Sequence, residues 1–250
     1  MSSLVSKGYI FLLAKIFYRV IGFDIIRESK VINVLFVFGV AGMIMGSLNA
    51  IKENDINRMI AYSSVAQIGY IYMGFGLGTT SGIIASIYHI VSHAATKSLL
   101  FVAASGITDA SSKSKNFFDL TGAGYRNKLA GVAFTVGSLS MVGFPMFSGF
   151  ISKLLFAQAA MENRHKIMIT MIALAISVIL NAVYFMKTVI RIYTPEKKTV
   201  VIDKGFEEIS FWEQPAKSAA LVCFIALNVF LGLFSEPVIG LIERGLAMFA

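Results

Sequence analysis

His89, His93 and Lys97 fall four and four residues apart in an otherwise apolar stretch. At about 100° per residue, three such side chains drift only about 80° around a helix, so they form one polar stripe. Histidine titrates near neutral pH, and desolvation pulls a lysine down toward it. A line of such groups can pass protons. The other reading is that hydrogen bonds between helices satisfy all three, which then only stabilise packing. A metal site would need further ligands, and the remaining histidine, His165, falls in a connector. A histidine pair on one helix does not bracket a haem from two sides. No metal, haem or other cofactor is expected.

Lys153 follows Gly143-Phe144-Pro145 and Ser148-Gly149 inside one long apolar run. Proline removes a backbone donor and clashes with the preceding turn, so the spacing predicts a helix broken at Gly143, Pro145 and Gly149. Backbone left unpaired inside a membrane must be surrounded by protein or line a wet cavity. A charge beside such a break is the pattern of discontinuous transporter helices; the alternative is a lysine that snorkels to an interface. Ser63, Gln67 and Tyr70 share one face at three- and four-residue spacing, which makes either a polar packing face or the wall of a water path. Asp55 can cap the helix that carries them. Lys7 anchors at the surface if Met1 is the true start, and moves toward mid-membrane if sequence precedes it. Lys15 with Arg19, and Lys187 with Arg191, read as side chains reaching for the two interfaces.

The elements that hold these residues follow from composition. The 250 residues are 56% hydrophobic and 14% charged, against about 25% charged in a soluble domain. Apolar runs cover 3–21, 31–51, 59–78, 81–108, 129–158, 166–191 and 216–235, giving about seven membrane helices. The first run lacks a small-residue cleavage site and reads as a mature helix. The expected fold is therefore all-α: a polytopic membrane bundle forming a single domain over 1–250, with one discontinuous helix at about 129–158. The net charge of +8 sits mostly in short connectors, a topology signal and not a nucleic-acid footprint. Lys52, Arg58, Lys113, Lys115, Arg126, Lys128, Lys197, Lys198, Lys204 and Lys217 outnumber the opposite set, Arg19, Arg27, Lys30, Arg164, Lys166 and Arg244. The richer set is expected on the cytoplasmic side of an inner membrane, with the N-terminus cytoplasmic and the C-terminus outside. Asp203 to Pro215 reads as a flat amphipathic helix or as a loop anchored by Trp212. The lone Cys223 excludes an intrachain disulfide and a cysteine-bound cluster.

Three motifs in this order resemble a known family. Lys52-Glu-Asn-Asp55-Ile-Asn-Arg58, then Ala61-Tyr62-Ser63-Ser64-Val-Ala-Gln67-Ile-Gly69-Tyr70, is the first. His89-x-x-x-His93-Ala-x-x-Lys97-Ser-Leu-Leu-Phe101 is the second. Ser138-Leu-x-x-x-Gly143-x-Pro145-x-x-x-Gly149-Phe150-x-x-Lys153 is the third. Together they are similar to the antiporter-like subunits of complex I, membrane-bound hydrogenases and Mrp sodium/proton antiporters. The resemblance covers nearly the whole chain. It implies a fold of two inverted five-helix repeats, of which this chain resembles the second half. Residues 1–30 would be the last helix of a missing first repeat, 31–195 the second repeat, and 196–250 an interfacial segment and final helix. It also implies proton or cation/proton translocation along a midplane chain of charged residues and water. Lys7 matches the family's central lysine, the His89/His93/Lys97 stripe its linking residues, and Lys153 the terminal group that exchanges protons with one side. The partners implied are other membrane subunits, including one that supplies the helices missing from the N-terminal side. Redox chemistry, if the host complex performs any, would belong to those subunits. The competing readings are an Mrp-type antiporter subunit without redox partners, a truncated fragment, and a structural scaffold whose charges only pack.

Overall fold

The computed structural model describes residues 5–195 and 212–247. Each apolar run becomes helix, and the described residues contain no strand, only one isolated bridge between Asp55 and Asn116. The chain opens with α1 (Val5–Lys15), a π-helical segment (Ile16–Ile21) and α2 (Phe23–Glu28). Then come α3 (Val31–Lys52), α4 (Ile56–Gly76) and α5 (Thr80–Asp109), the short α6 (Ala123–Arg126), and α7 (Lys128–Val142). Finally there are α8 (Ser148–Met161), α9 (Ile167–Ile192), α10 (Pro215–Leu233) and α11 (Glu236–Ala247). The polar stretch from Asp203 falls outside the described residues up to Trp212, which is exposed. The amphipathic α11 was not foreseen. Val238, Ile239, Ile242 and Leu246 form its half-buried face, while Glu236, Glu243 and Arg244 stay exposed.

Among the described helices, α3, α5, α9 and α10 are long and apolar enough to cross a membrane. Their roles in the bundle differ. Most of α5 is buried, and it packs against α4, α7, α8 and α10. By contrast α3, α9 and α10 turn most of their apolar surface outward, as lipid-facing helices do. The 21 residues of α4 suffice for a span, but its polar face lowers its hydropathy, and it is buried along most of its length. Neither α7 nor α8, with 15 and 14 residues, covers a hydrocarbon core of about 30 Å at about 1.5 Å per residue. Together they do, as the two halves of the expected broken helix.

Capping side chains fix where the helices start. Asp55 accepts from the amides of Asn57 and Arg58 at 2.8 and 3.0 Å, Thr79 from Gly82 at 3.0 Å, and Asn127 from Ala130 at 3.1 Å. These bonds satisfy donors that an apolar environment would leave unpaired. Small residues set the distance between α3 and α4. A Cβ on Gly69 would lie 2.6 Å from both the Gly39 carbonyl oxygen and the Met43 amide nitrogen, and one on Gly46 would lie 2.5 Å from the Ala66 amide nitrogen. Close backbone approach of this kind is how membrane helices gain packing energy without a hydrophobic drive.

Gly69→Val would force α3 and α4 apart, costing about 1–3 kcal/mol or more. Thermal melting of the detergent-solubilised protein is expected to fall clearly in this variant. It should not fall in Gly240→Ala on α11, where a Cβ meets nothing within 4 Å.

Candidate functional site

The break between α7 and α8 begins with a Schellman cap. Gly143 takes φ +96°, its amide reaches the Ser140 carbonyl at 3.1 Å, and the Phe144 amide reaches the Leu139 carbonyl at 2.9 Å. The residue four beyond Met141 is Pro145, which has no N–H, so the Met141 carbonyl has no helical donor. Lys153 supplies one: its Nζ donates to that oxygen at 2.7 Å. The Asn181 amide, from α9, approaches the same oxygen at 3.4 Å. Both glycines flanking the break are needed for this fold-back. A Cβ on Gly143 would lie 2.9 Å from Lys153 Cδ, and one on Gly149 would collide with the Ser140 carbonyl. Lys153 is thus held inside the bundle by the break itself, not extended toward an interface.

The stripe on α5 and the polar face on α4, read separately from the sequence, meet. Lys97 is 1% exposed and His93 2%. The Lys97 ammonium donates to the Ile60 carbonyl at 2.8 Å and to the Ser63 hydroxyl. At the other end Tyr70 stacks on His89, with ring centroids 5.3 Å apart. The two helices run antiparallel, so Gln67, midway between Ser63 and Tyr70, lies level with His93. The imidazoles of His89 and His93 stack at 5.9 Å and 6°, as four-residue spacing requires. Gln67 Nε2 and Ser138 Oγ are buried without a hydrogen-bond partner among the described residues; buried polar atoms of this kind are where ordered water binds in proteins.

The stripe then reaches Lys153. His89 Nδ1 lies 2.6 Å from Ser152 Oγ, the neighbour of Lys153 on α8, and the Lys153 ammonium lies 5.8 Å from the Tyr70 ring centroid. One buried line therefore contains Lys97, His93, His89 and Lys153, edged by Ser63, Gln67 and Tyr70. Lys7 lies in α1, and its side chain is outside the described residues. Among the described residues no group of three or more histidine, cysteine, aspartate or glutamate side chains could hold a metal.

The family described as NADH:quinone oxidoreductase/Mrp antiporter, TM, matches residues 2–179. The chain belongs to that family. Subunit N of the NADH-quinone oxidoreductase of Desulforudis audaxviator is 31% identical over 218 residues, 84% of this chain and 43% of that protein. Among solved structures, the Mrp complex from Dietzia sp. DQ12-45-1b superposes with a TM-score of 0.80 at 22% identity, covering 95% of this chain and 50% of that one. The membrane-bound sulfane sulfur reductase, an archaeal respiratory membrane complex, gives 0.83 at 24%, covering 98% of this chain and 47% of that one. These structures share the fold. The chain spans about half the length of the relatives it matches. It is an antiporter-like membrane subunit, and its relatives are subunits of multi-subunit membrane complexes.

This antiporter-family chain also contains a buried polar knot that the sequence reading missed. On α10, Asn228 Oδ1 accepts from Thr96 at 2.6 Å, Ser148 at 3.1 Å and Ser140 at 3.2 Å. Ser92 donates to Ser148 at 2.8 Å. Hydroxyls from α5, α7 and α8 thus converge on one amide, and Gly232 lets α10 lie against the backbone at Met146 and Phe147. A lone asparagine in an apolar run, Asn181 or Asn228, was the available signal; it could not say which helix each would meet. Asn228→Leu removes the acceptor that three buried hydroxyls share, of which Thr96 keeps another in the Ser92 carbonyl at 2.9 Å, at about 1–3 kcal/mol. A lower melting temperature is expected than in the lipid-facing control Val222→Ala. Equal melting would remove the knot as the lock on α10.

Proposed function

We propose that this subunit translocates protons, or a cation against protons, across the membrane along Lys97, His93, His89 and Lys153. The observation that carries this reading is the continuity of the buried line and its ending on a carbonyl freed by a helix break. Ring separations of 5–6 Å exceed a hydrogen bond, so water and the Ser63, Gln67 and Ser152 side chains would bridge the steps. Buried ammonium and imidazole groups differ in charged-form cost by position, so moving one proton changes the preference of its neighbours. Such coupling suits stepwise transfer.

On this reading Lys7 feeds the line from the N-terminal side, and residues 31–195 act as one repeat whose inverted partner lies on another polypeptide or an upstream segment. Residues 1–30 would close that missing repeat, and 196–250 would lie beyond the second. The energy would come from a redox complex of the kind its NADH-quinone oxidoreductase relative belongs to. Sodium-dependent transport that survives removal of all redox subunits would instead indicate an Mrp-type assembly. The richer basic connector set would face the cytoplasm, with the C-terminus outside. Single cysteines placed at Ser112 and at Arg164 in a Cys223→Ser background should react with an impermeant thiol reagent from opposite faces. Labelling from the same face would overturn the topology.

Lys153→Ala, and separately His93→Ala with Lys97→Ala, are expected to lower coupled proton flux at least tenfold in inverted vesicles carrying the assembled complex. Native gels should show assembly less affected. Unimpaired flux in an assembled variant would leave the residues changed with a packing role only.

A further inference from the structure

Lys187 and Arg191 stand one turn apart on α9, Lys187 exposed and Arg191 half-buried. Neither has an ion-pair partner among the described residues. Arg191 is held in place: its guanidinium lies 5.0 Å over the Phe118 ring. The face of α9 that runs back from both cations is apolar, formed by Ala182, Val183, Met186 and Ile190. A cavity of about 80 Å³ shares the two cations and brings in Asn54 at the α3–α4 connector. Glu53 also borders it, but its carboxylate pairs with Arg58 at 3.1 Å, so it does not neutralise the pair. The proton line described above uses none of these residues.

We propose that this cavity and the adjoining face of α9 are a binding site for an anionic phospholipid, with the phosphate between Lys187 and Arg191 and an acyl chain along Val183, Met186 and Ile190. The apolar face suits hydrocarbon, and the two cations sit where α9 ends, at the level of the headgroups. A guanidinium offers a planar pair of donors to phosphate oxygens, and an ammonium one turn away adds a second point of charge. Asn54 supplies a neutral polar group for the headgroup. A zwitterionic lipid fits the apolar face equally well but lacks the net charge that two adjacent cations select. Simple snorkelling would account for the cations but not for the cavity that they share with Asn54.

The test is native mass spectrometry of the purified assembled complex, exchanged into nanodiscs of phosphatidylglycerol mixed with phosphatidylcholine. The complex is expected to retain phosphatidylglycerol on the subunit after delipidation. Lys187→Gln with Arg191→Gln should lower that retention on the order of tenfold, and Val183→Trp with Ile190→Trp should expel the lipid with both cations kept. The control Lys15→Gln, an exposed lysine in α1, should change nothing. Equal retention in the double glutamine variant, equal retention of phosphatidylcholine, or no retained lipid would each overturn the proposal. Displacement by inorganic phosphate alone would overturn the lipid as the occupant. Because the readout is bound lipid, the outcome does not depend on whether the subunit moves protons.

Discussion

Pro145 has no amide hydrogen to give, and inside an apolar bundle the Met141 carbonyl must find another donor. An unsatisfied carbonyl in hydrocarbon costs several kcal/mol, and a lone ammonium there costs about 2.5–3.5 kcal/mol on insertion scales. Bringing Lys153 onto Met141 meets both demands with one contact of 2.7 Å. Much of the arrangement around it serves that contact. Gly143 leaves room for the lysine stem, Gly149 lets the second half-helix fold closely against the first, and α10 lies against the backbone of the break through Gly232.

The same principle governs α5. It is the most enclosed of the four apolar spans and carries the densest polar content, a combination stable only because other helices supply partners on each side. On one side α4 offers Ile60, Ser63 and Tyr70 to Lys97 and His89. On the other, Ser148, Ser140 and Asn228 close around Ser92 and Thr96. Two polar systems therefore share one helix. One contains imidazoles and ammonium groups, and the other contains only hydroxyls and an amide. The second cannot take up charge near neutral pH, so it suits a fixed joint.

The chain belongs to the NADH:quinone oxidoreductase/Mrp antiporter family, and the matched subunit N and the matched chain of the Mrp complex are each about twice its length. Within this chain, the break, the histidine stripe and the α4 polar face form one contiguous buried line. The outward faces of α3, α9 and α10 are apolar, as lipid or neighbouring subunits require.

Much was legible in the residues alone. Seven apolar runs became helical segments because hydrocarbon forces every backbone group into an internal hydrogen bond, and the period of a helix put His89, His93 and Lys97 on one side. Gly143 and Pro145 foretold the break because their limits are local and covalent. The family, too, was readable from three ordered motifs. Tertiary structure decided which polar face meets which: that Ser63 serves Lys97, that His89 reaches Ser152, that Met141 receives Lys153, and that Asn228 gathers three hydroxyls. It also decided that Lys153 folds inward while Lys187 stays outside. Helical period fixes the direction of a side chain around its own axis, but the partner it finds depends on how helices cross. Those crossings are set by close approaches such as Gly69 against Gly39, which no single segment contains.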